Sequence, residues 1–176
     1  MTSYEFTLIV EGPDLQDESV IDALFAAGFD DATIARVGGT QYLDFDRVAD
    51  SFADAVISAT KSLESTVTGV RVVHLEPDDL VTMTEIAERV GRTRESVRLL
   101  ISGDRGPGEF PSPATHFRSR QRMWRWQEVA TWFAEKLGEP ELGDPVRAQF
   151  ITAFNAGLKL RGVDKDLRVR IGRLVG

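Results

Sequence analysis

Arginines set at short, regular intervals are the residues of this chain best suited to chemistry, and that chemistry is recognition of anions and base edges. Arg92, Thr93, Arg94, Glu95 and Arg98 lie close together in one stretch. A guanidinium can pair two N–H groups with O6 and N7 of guanine, a contact that discriminates between bases by about 1–3 kcal/mol. Arg94 and Arg98 are the candidates for base edges, and Arg92 is the candidate phosphate contact. Thr93 can donate to phosphate or base. Glu95 can accept from cytosine or pair with a neighbouring arginine. A second group, Arg118, Arg120, Arg122 and Arg125, alternates along HFRSRQRMWRW. On a strand, alternation puts Arg118, Arg120 and Arg122 on one face, where they could meet phosphate or the minor groove. Solvated helix and strand faces are the alternative for both groups, with DNA contact the leading reading.

The elements that must position these side chains are legible around them. Thr82 with Glu85 fits a capping box at a helix start. Ile86, Ala87 and Val90 then share one face, and Gly91 is placed to end the helix. Thr93 can cap a second helix with Val97, Leu100 and Ile101 inward and Arg94, Glu95 and Arg98 outward. Two helices joined by a turn of about three residues form the helix-turn-helix layout, in which the second helix enters the major groove. A Pro/Gly-rich loop, an Arg-rich strand pair and a closing helix are expected to follow.

On these residues the stretch from Thr82 to Leu137 resembles the excisionase/AlpA branch of the MerR-like winged helix-turn-helix proteins. The matching positions are Thr82, Glu85, Ala87, Gly91, Thr93 and Val97, then Gly108-Glu109-Phe110-Pro111-Ser112-Pro113. Arg122-Met123-Trp124-Arg125 and Glu128-Val129-Ala130-Thr131-Trp132-Phe133 complete them. The resemblance covers about a third of the chain. It departs from the family at Arg105-Gly106-Pro107, which lengthens the loop. It implies a DNA-binding domain over residues 80–138, with Trp124 and Trp132 in its core and the arginine strand as its wing.

Upstream, Phe6, Leu8 and Val10 alternate on a strand over Tyr4–Val10, and Val20, Ile21, Leu24 and Phe25 follow helical spacing. Ala32–Val37 and Thr40–Phe45 flank Gly38-Gly39, a two-residue hairpin signal. Val48, Phe52, Val56, Ala59 and Leu63 predict a longer helix. Gly69–Leu75 predicts a strand, and Glu76-Pro77-Asp78-Asp79 a hinge. The order β-α-β-β-α-β is the ferredoxin-like pattern. Downstream, Asp144-Pro145 starts a helix through Leu158, and Lys165–Leu174 forms a last amphipathic piece. The expected fold class is therefore α+β. A ferredoxin-like domain over 1–76 is followed by a winged helix-turn-helix over 80–138 and C-terminal helices over 144–176.

Charge is uneven. The net of −7 hides 16 acids against 4 bases in residues 1–81, and 5 acids against 9 arginines in residues 82–125. Such asymmetry points to nucleic-acid contact by the basic part. A distant acidic domain repels DNA weakly, because the Debye length is about 8 Å at physiological salt. The chain has no cysteine, no apolar run of membrane-spanning length, and no basic segment before its first apolar residues. A cytoplasmic protein is expected. His74 and His116 have no ligand spacing around them, and Asp14-Asp17-Glu18, Asp30-Asp31 and Asp44-Asp46 match no cation loop. No catalytic constellation stands out, so neither enzyme activity nor a cofactor nor a metal is expected. The leading expectation is a sequence-specific double-stranded DNA-binding regulator acting as a homodimer. Alternatives are an excisionase-like architectural protein, an antitoxin-like protein whose acidic N-terminal domain holds a protein partner, and an enzyme or small-ligand sensor using the N-terminal sheet.

Overall fold

The computed structural model describes residues 1–115, 121–139 and 144–175. The fold is mixed α+β and divides into two units, Met1–Pro77 with Ala153–Gly176, and Asp78–Thr152. Residues from Ala153 onward thus group with the N-terminal unit, although they follow the basic module in sequence.

In the first unit, β1 (Thr2–Glu11), β2 (Ala32–Val37), β3 (Thr40–Ala49) and β4 (Arg71–Glu76) form one antiparallel sheet in the order β2-β3-β1-β4. Alternation sends Phe6, Leu8 and Val10 to one face, where they meet Leu43 and Phe45 of β3. The Phe6 and Phe45 rings stack at 4.9 Å. This face is closed by α2 (Phe52–Thr66), which buries Phe52, Ala55, Val56, Ala59 and Leu63 at helical spacing. Ser51 starts α2 by accepting from the Asp54 amide at 3.1 Å. A shorter helix, α1 (Glu18–Ala26), buries Leu24. Gly38 and Gly39 have φ of 56° and 86°, the pair of left-handed residues a two-residue hairpin needs. The opposite face of the sheet carries Glu5, Thr7 and Ile9 of β1 beside Tyr42, Asp44 and Asp46 of β3.

Val48, expected to open the long helix, lies instead on β3 opposite Ser3. Its spacing to Phe52 fits a helix, but strand pairing extends to Ala49 and Ser51 caps the helix later. Helix α6 (Pro145–Arg161) begins in the second unit and ends in the first. There, Asn155 on α6 accepts from the Leu75 amide at 2.8 Å and donates to the Leu75 carbonyl at 2.9 Å. Arg161 pairs with Glu64 at 2.6 Å. Helix α7 (Lys165–Val175) follows, with Asp164 accepting from the amides of Asp166 and Leu167.

The second unit holds a two-stranded pairing of β5 (Leu80–Thr82) with β6 (Met123–Arg125). Around it stand α3 (Met83–Arg89), α4 (Arg94–Ser102) and α5 (Trp126–Leu137). One cluster of buried side chains, including Val81, Ile86, Val97, Leu100, Trp124 and Phe133, joins these elements. Strand β5 has no counterpart in the sequence expectations, which place a hinge just before it. Among the described residues no helix is long and apolar enough to cross a membrane.

Candidate nucleic-acid interface

The geometry around α3 and α4 is fixed by local hydrogen bonds that the sequence encodes. Thr82 and Glu85 make the reciprocal capping box, with the Thr82 amide donating to Glu85 Oε2 at 2.7 Å and the Glu85 amide to Thr82 Oγ1 at 3.3 Å. At the other end of α3, Gly91 takes a φ of 62°. Its amide reaches the Glu88 carbonyl at 3.2 Å, and the Arg92 amide reaches the Ala87 carbonyl at 2.9 Å. Those two bonds make a Schellman turn, which needs a left-handed residue at Gly91. Thr93 Oγ1 then accepts from the Ser96 amide at 3.1 Å and starts α4. The buried residues Val97 and Leu100 leave Arg94, Glu95 and Arg98 facing solvent.

The candidate arginines differ in how far they are committed to the protein itself. Arg94, in the first turn of α4, is exposed and has no carboxylate partner among the described residues. Arg98 is held by Glu95, with Nε 3.0 Å from both carboxylate oxygens and Nη2 2.8 Å from Oε1. Asp104 lies a further 3.9 Å from Arg98 Nη1. The bond from Arg98 holds the Glu95 carboxyl below its ordinary pKa, and the same pairing raises that of Arg98. Both side chains are about half exposed or more, 49% for Arg98 and 66% for Glu95. Solvent screens such a pair, so an incoming anion can compete for Arg98.

Arg92 is built into the unit. Its Nη2 lies 2.5 Å from Glu139 Oε1, and its guanidinium sits 5.6 Å from the centre of the Phe133 ring. It ties the start of α4 to the end of α5. Arg125 is exposed at the end of β6, with Nη1 3.8 Å from Asp79 Oδ2 and Nε 4.0 Å from Glu128. Arg122 precedes β6 rather than lying within it, and is exposed without a carboxylate partner among the described residues. Arg118, Arg120 and His116 lie outside the described residues. The expected shared strand face of Arg118, Arg120 and Arg122 thus falls mainly on residues outside those described, and Arg122 lies just before β6, Met123–Arg125.

The long loop before β6 is fastened by indole groups. Trp132 Nε1 donates to the Gly108 carbonyl at 3.0 Å, and Trp124 Nε1 donates to the Pro111 carbonyl at 3.1 Å. Phe110 packs against Trp132 at 4.9 Å. A buried indole needs such an acceptor, and the backbone carbonyls of Gly108 and Pro111 supply one to each. Trp126 is also buried, under the Arg89 guanidinium at 5.0 Å. Burial lowers the Arg89 pKa, with the carboxylates of Glu85, Asp79 and Asp78 opposing it.

Sequence reasoning missed Asp79, placed in a hinge. Its side chain is 3% exposed. Its carbonyl accepts from the Trp126 amide at 2.6 Å and its Oδ1 from the Gln127 amide at 3.2 Å. Asp79 thus caps α5 from the bend just before β5, where Arg125 at the N-cap position supplies no side-chain bond. No local pattern announces a cap delivered across 48 residues. Among the described residues no group of three or more His, Cys, Asp or Glu could hold a metal ion. Comparison of the chain with protein-family models, curated proteins and solved structures returns no match.

Proposed function

We propose that Asp78–Thr152 is a winged helix-turn-helix module of the excisionase-like, MerR-related kind. It binds double-stranded DNA at specific sites and serves a transcriptional regulator that acts as a homodimer. On this reading α4 lies in the major groove and the first unit is ferredoxin-like, a topology favoured by its strand order β2-β3-β1-β4. The observation that carries the proposal is Arg94, an exposed guanidinium with no carboxylate partner among the described residues, in the first turn of a capped helix set by a glycine turn. That is the position from which a recognition helix reaches base edges.

Placement, not net charge, has to drive binding. Asp78–Thr152 contains 12 acidic and 11 basic residues, so the unit as a whole attracts no polyanion. Arg94 reads bases, Arg98 joins it by leaving Glu95, and Arg122 and Arg125 meet phosphate beside Arg118 and Arg120. For a dimer, half-sites fall about 34–36 Å apart or at multiples of that distance.

The test is selection from a genomic fragment library at two salt concentrations, repeated with Arg94→Ala. A discrete motif from the wild-type chain, relaxed at one or two positions and weakened by about 1–3 kcal/mol in the variant, is the expected result. Uniform retention of all fragments points instead to an architectural, excisionase-like role. No retention at either salt would sink DNA binding. Weight would then pass to the antitoxin-like reading, which the acidic composition of residues 1–81 supports.

A further inference from the structure

Helix α7 has the composition of a docking element and leaves most of its side chains exposed. Every one of Lys165–Arg170 is exposed, as are Arg173 and Leu174. Leu167, Ile171 and Leu174 recur at intervals of four and three, so they form one apolar stripe. Leu167 is 46% and Leu174 85% exposed. At about 100° per residue, Arg168 and Arg170 border this stripe on its two sides, with Arg173 next to Arg170. A helix of 11 residues is marginal alone in water, where isolated helices shorter than about 12–15 residues seldom persist. An apolar stripe edged with arginines requires a surface with an apolar row and carboxylates alongside.

The same unit offers such a surface. On the open face of its sheet, pairing lines up Ala35, Tyr42, Ile9 and His74 in one row across the four strands. The next row is Thr33, Asp44, Thr7 and Glu76, and Asp46 pairs with Glu5 beyond it. A shallow depression on this face is lined by Ile9, Val37, Tyr42, Asp44 and Glu76. Glu5, Asp44, Asp46 and Glu76 are exposed, whereas the buried aromatic rings lie on the other face. Sizes agree as well. Four strands about 4.8 Å apart span roughly 14 Å, and 11 residues of helix measure roughly 16 Å.

We infer that α7 of one copy docks on the open sheet face of a second copy, its apolar stripe on Ala35, Tyr42 and Ile9 and its arginines against Asp44, Asp46 and Glu76. Two reciprocal contacts of this kind close a twofold dimer. The occupant is a second copy because both complementary surfaces are carried by this chain. DNA would satisfy the arginines but leave the apolar stripe in water. The inference rests on the proposed function only for the dimer. It is read by mass, not by DNA affinity, so the two can fail separately.

The test is sedimentation equilibrium of the full-length chain from about 1 to 100 μM, with circular dichroism to verify folding. The wild type is expected to dimerise, and to dissociate as salt rises. Asp44→Lys with Asp46→Lys should give a folded monomer, as should Arg170→Glu with Arg173→Glu. The four changes combined should restore the dimer, since the charges again oppose. A wild type that stays monomeric over the whole range overturns the inference, because α7 then rests on its own sheet or another partner. A dimer that survives either double variant also overturns it, and so does a folded quadruple variant that remains monomeric.

Discussion

The two units close their cores in different ways. In Met1–Pro77 with Ala153–Gly176, ten-residue strands β1 and β3 pair along nearly their whole length. Alternation delivers Phe6, Leu8, Leu43 and Phe45 to one face. In Asp78–Thr152 the strands are three residues each, too short to fix much by pairing. There the fastening is done by side chains that bond to distant backbone, as Trp124 does to Pro111, Trp132 to Gly108 and Asp79 to Gln127. Long strands make a core sensitive to volume. Short ones shift specificity to individual donors and acceptors, which are modest in net energy yet costly when left unmade.

The sharpest way to break this contrast is to remove volume from the first unit. Leu8→Ala deletes a side chain with no exposure beneath two strand neighbours, and should cost about 2–5 kcal/mol in urea unfolding. A loss well under 1 kcal/mol would mean the sheet repacks freely and the comparison is misplaced. A smaller effect should follow from Trp132→Phe, which keeps an aromatic ring but deletes the donor to Gly108. We expect about 1–2 kcal/mol, including the small void left behind. If the variant is as stable as the wild type, the indole bond is not what holds the loop.

The smallest effect is expected at the surface. Lys136 Nζ lies 2.5 Å from Glu109 Oε2. The pairing lowers the Glu109 pKa from 4.5 and raises that of Lys136 from 10.5. A lowered carboxyl stabilises above its unfolded pKa and loses that contribution as pH falls. A raised amine stabilises below its unfolded pKa and loses it as pH rises. Any contribution is thus complete between those values, and fades below them toward the lowered carboxyl pKa and above them toward the raised amine pKa. Solvent exposure should keep it near the limit of detection, so Lys136→Met should leave the pH–stability profile almost unchanged. A clear drop at neutral pH confined to the variant would show that the loop depends on this ion pair.

How much could be read beforehand follows from the range of each signal. The capping box at Thr82 and Glu85, the Thr93 cap and the glycine hairpin were legible because each depends on neighbours. The burial of Trp124 and Trp132 was expected from the family resemblance alone. Asp144 also reads correctly, accepting from the amides of Val146 and Arg147 at 3.0 Å. Val48 misled because residues 48, 52 and 56 fit a helical period equally well, and only pairing with β1 decides for strand. Strand β5 was invisible because three residues carry no period of their own. Within the candidate interface, the pairing of Glu95 with Arg98 was foreseeable at a spacing of three. The tie from Arg92 to Glu139 spans 47 residues, so a cation committed to structure looked like one available to a ligand. Asp79 was obscured for the same reason.

The amide of Asn155 has a further consequence. By offering Leu75 both an acceptor and a donor, it imitates a neighbouring strand at the outer rim of β4. A sheet rim left bare is a template on which another extended chain can add, the first step of strand-mediated aggregation. One side chain from α6 removes that invitation near the C-terminal end of β4, and it does so from a segment more than seventy residues further along. The opposite rim, β2, carries no such plug among its described hydrogen bonds. Unwanted fibre growth in this unit should therefore begin along Ala32–Val37.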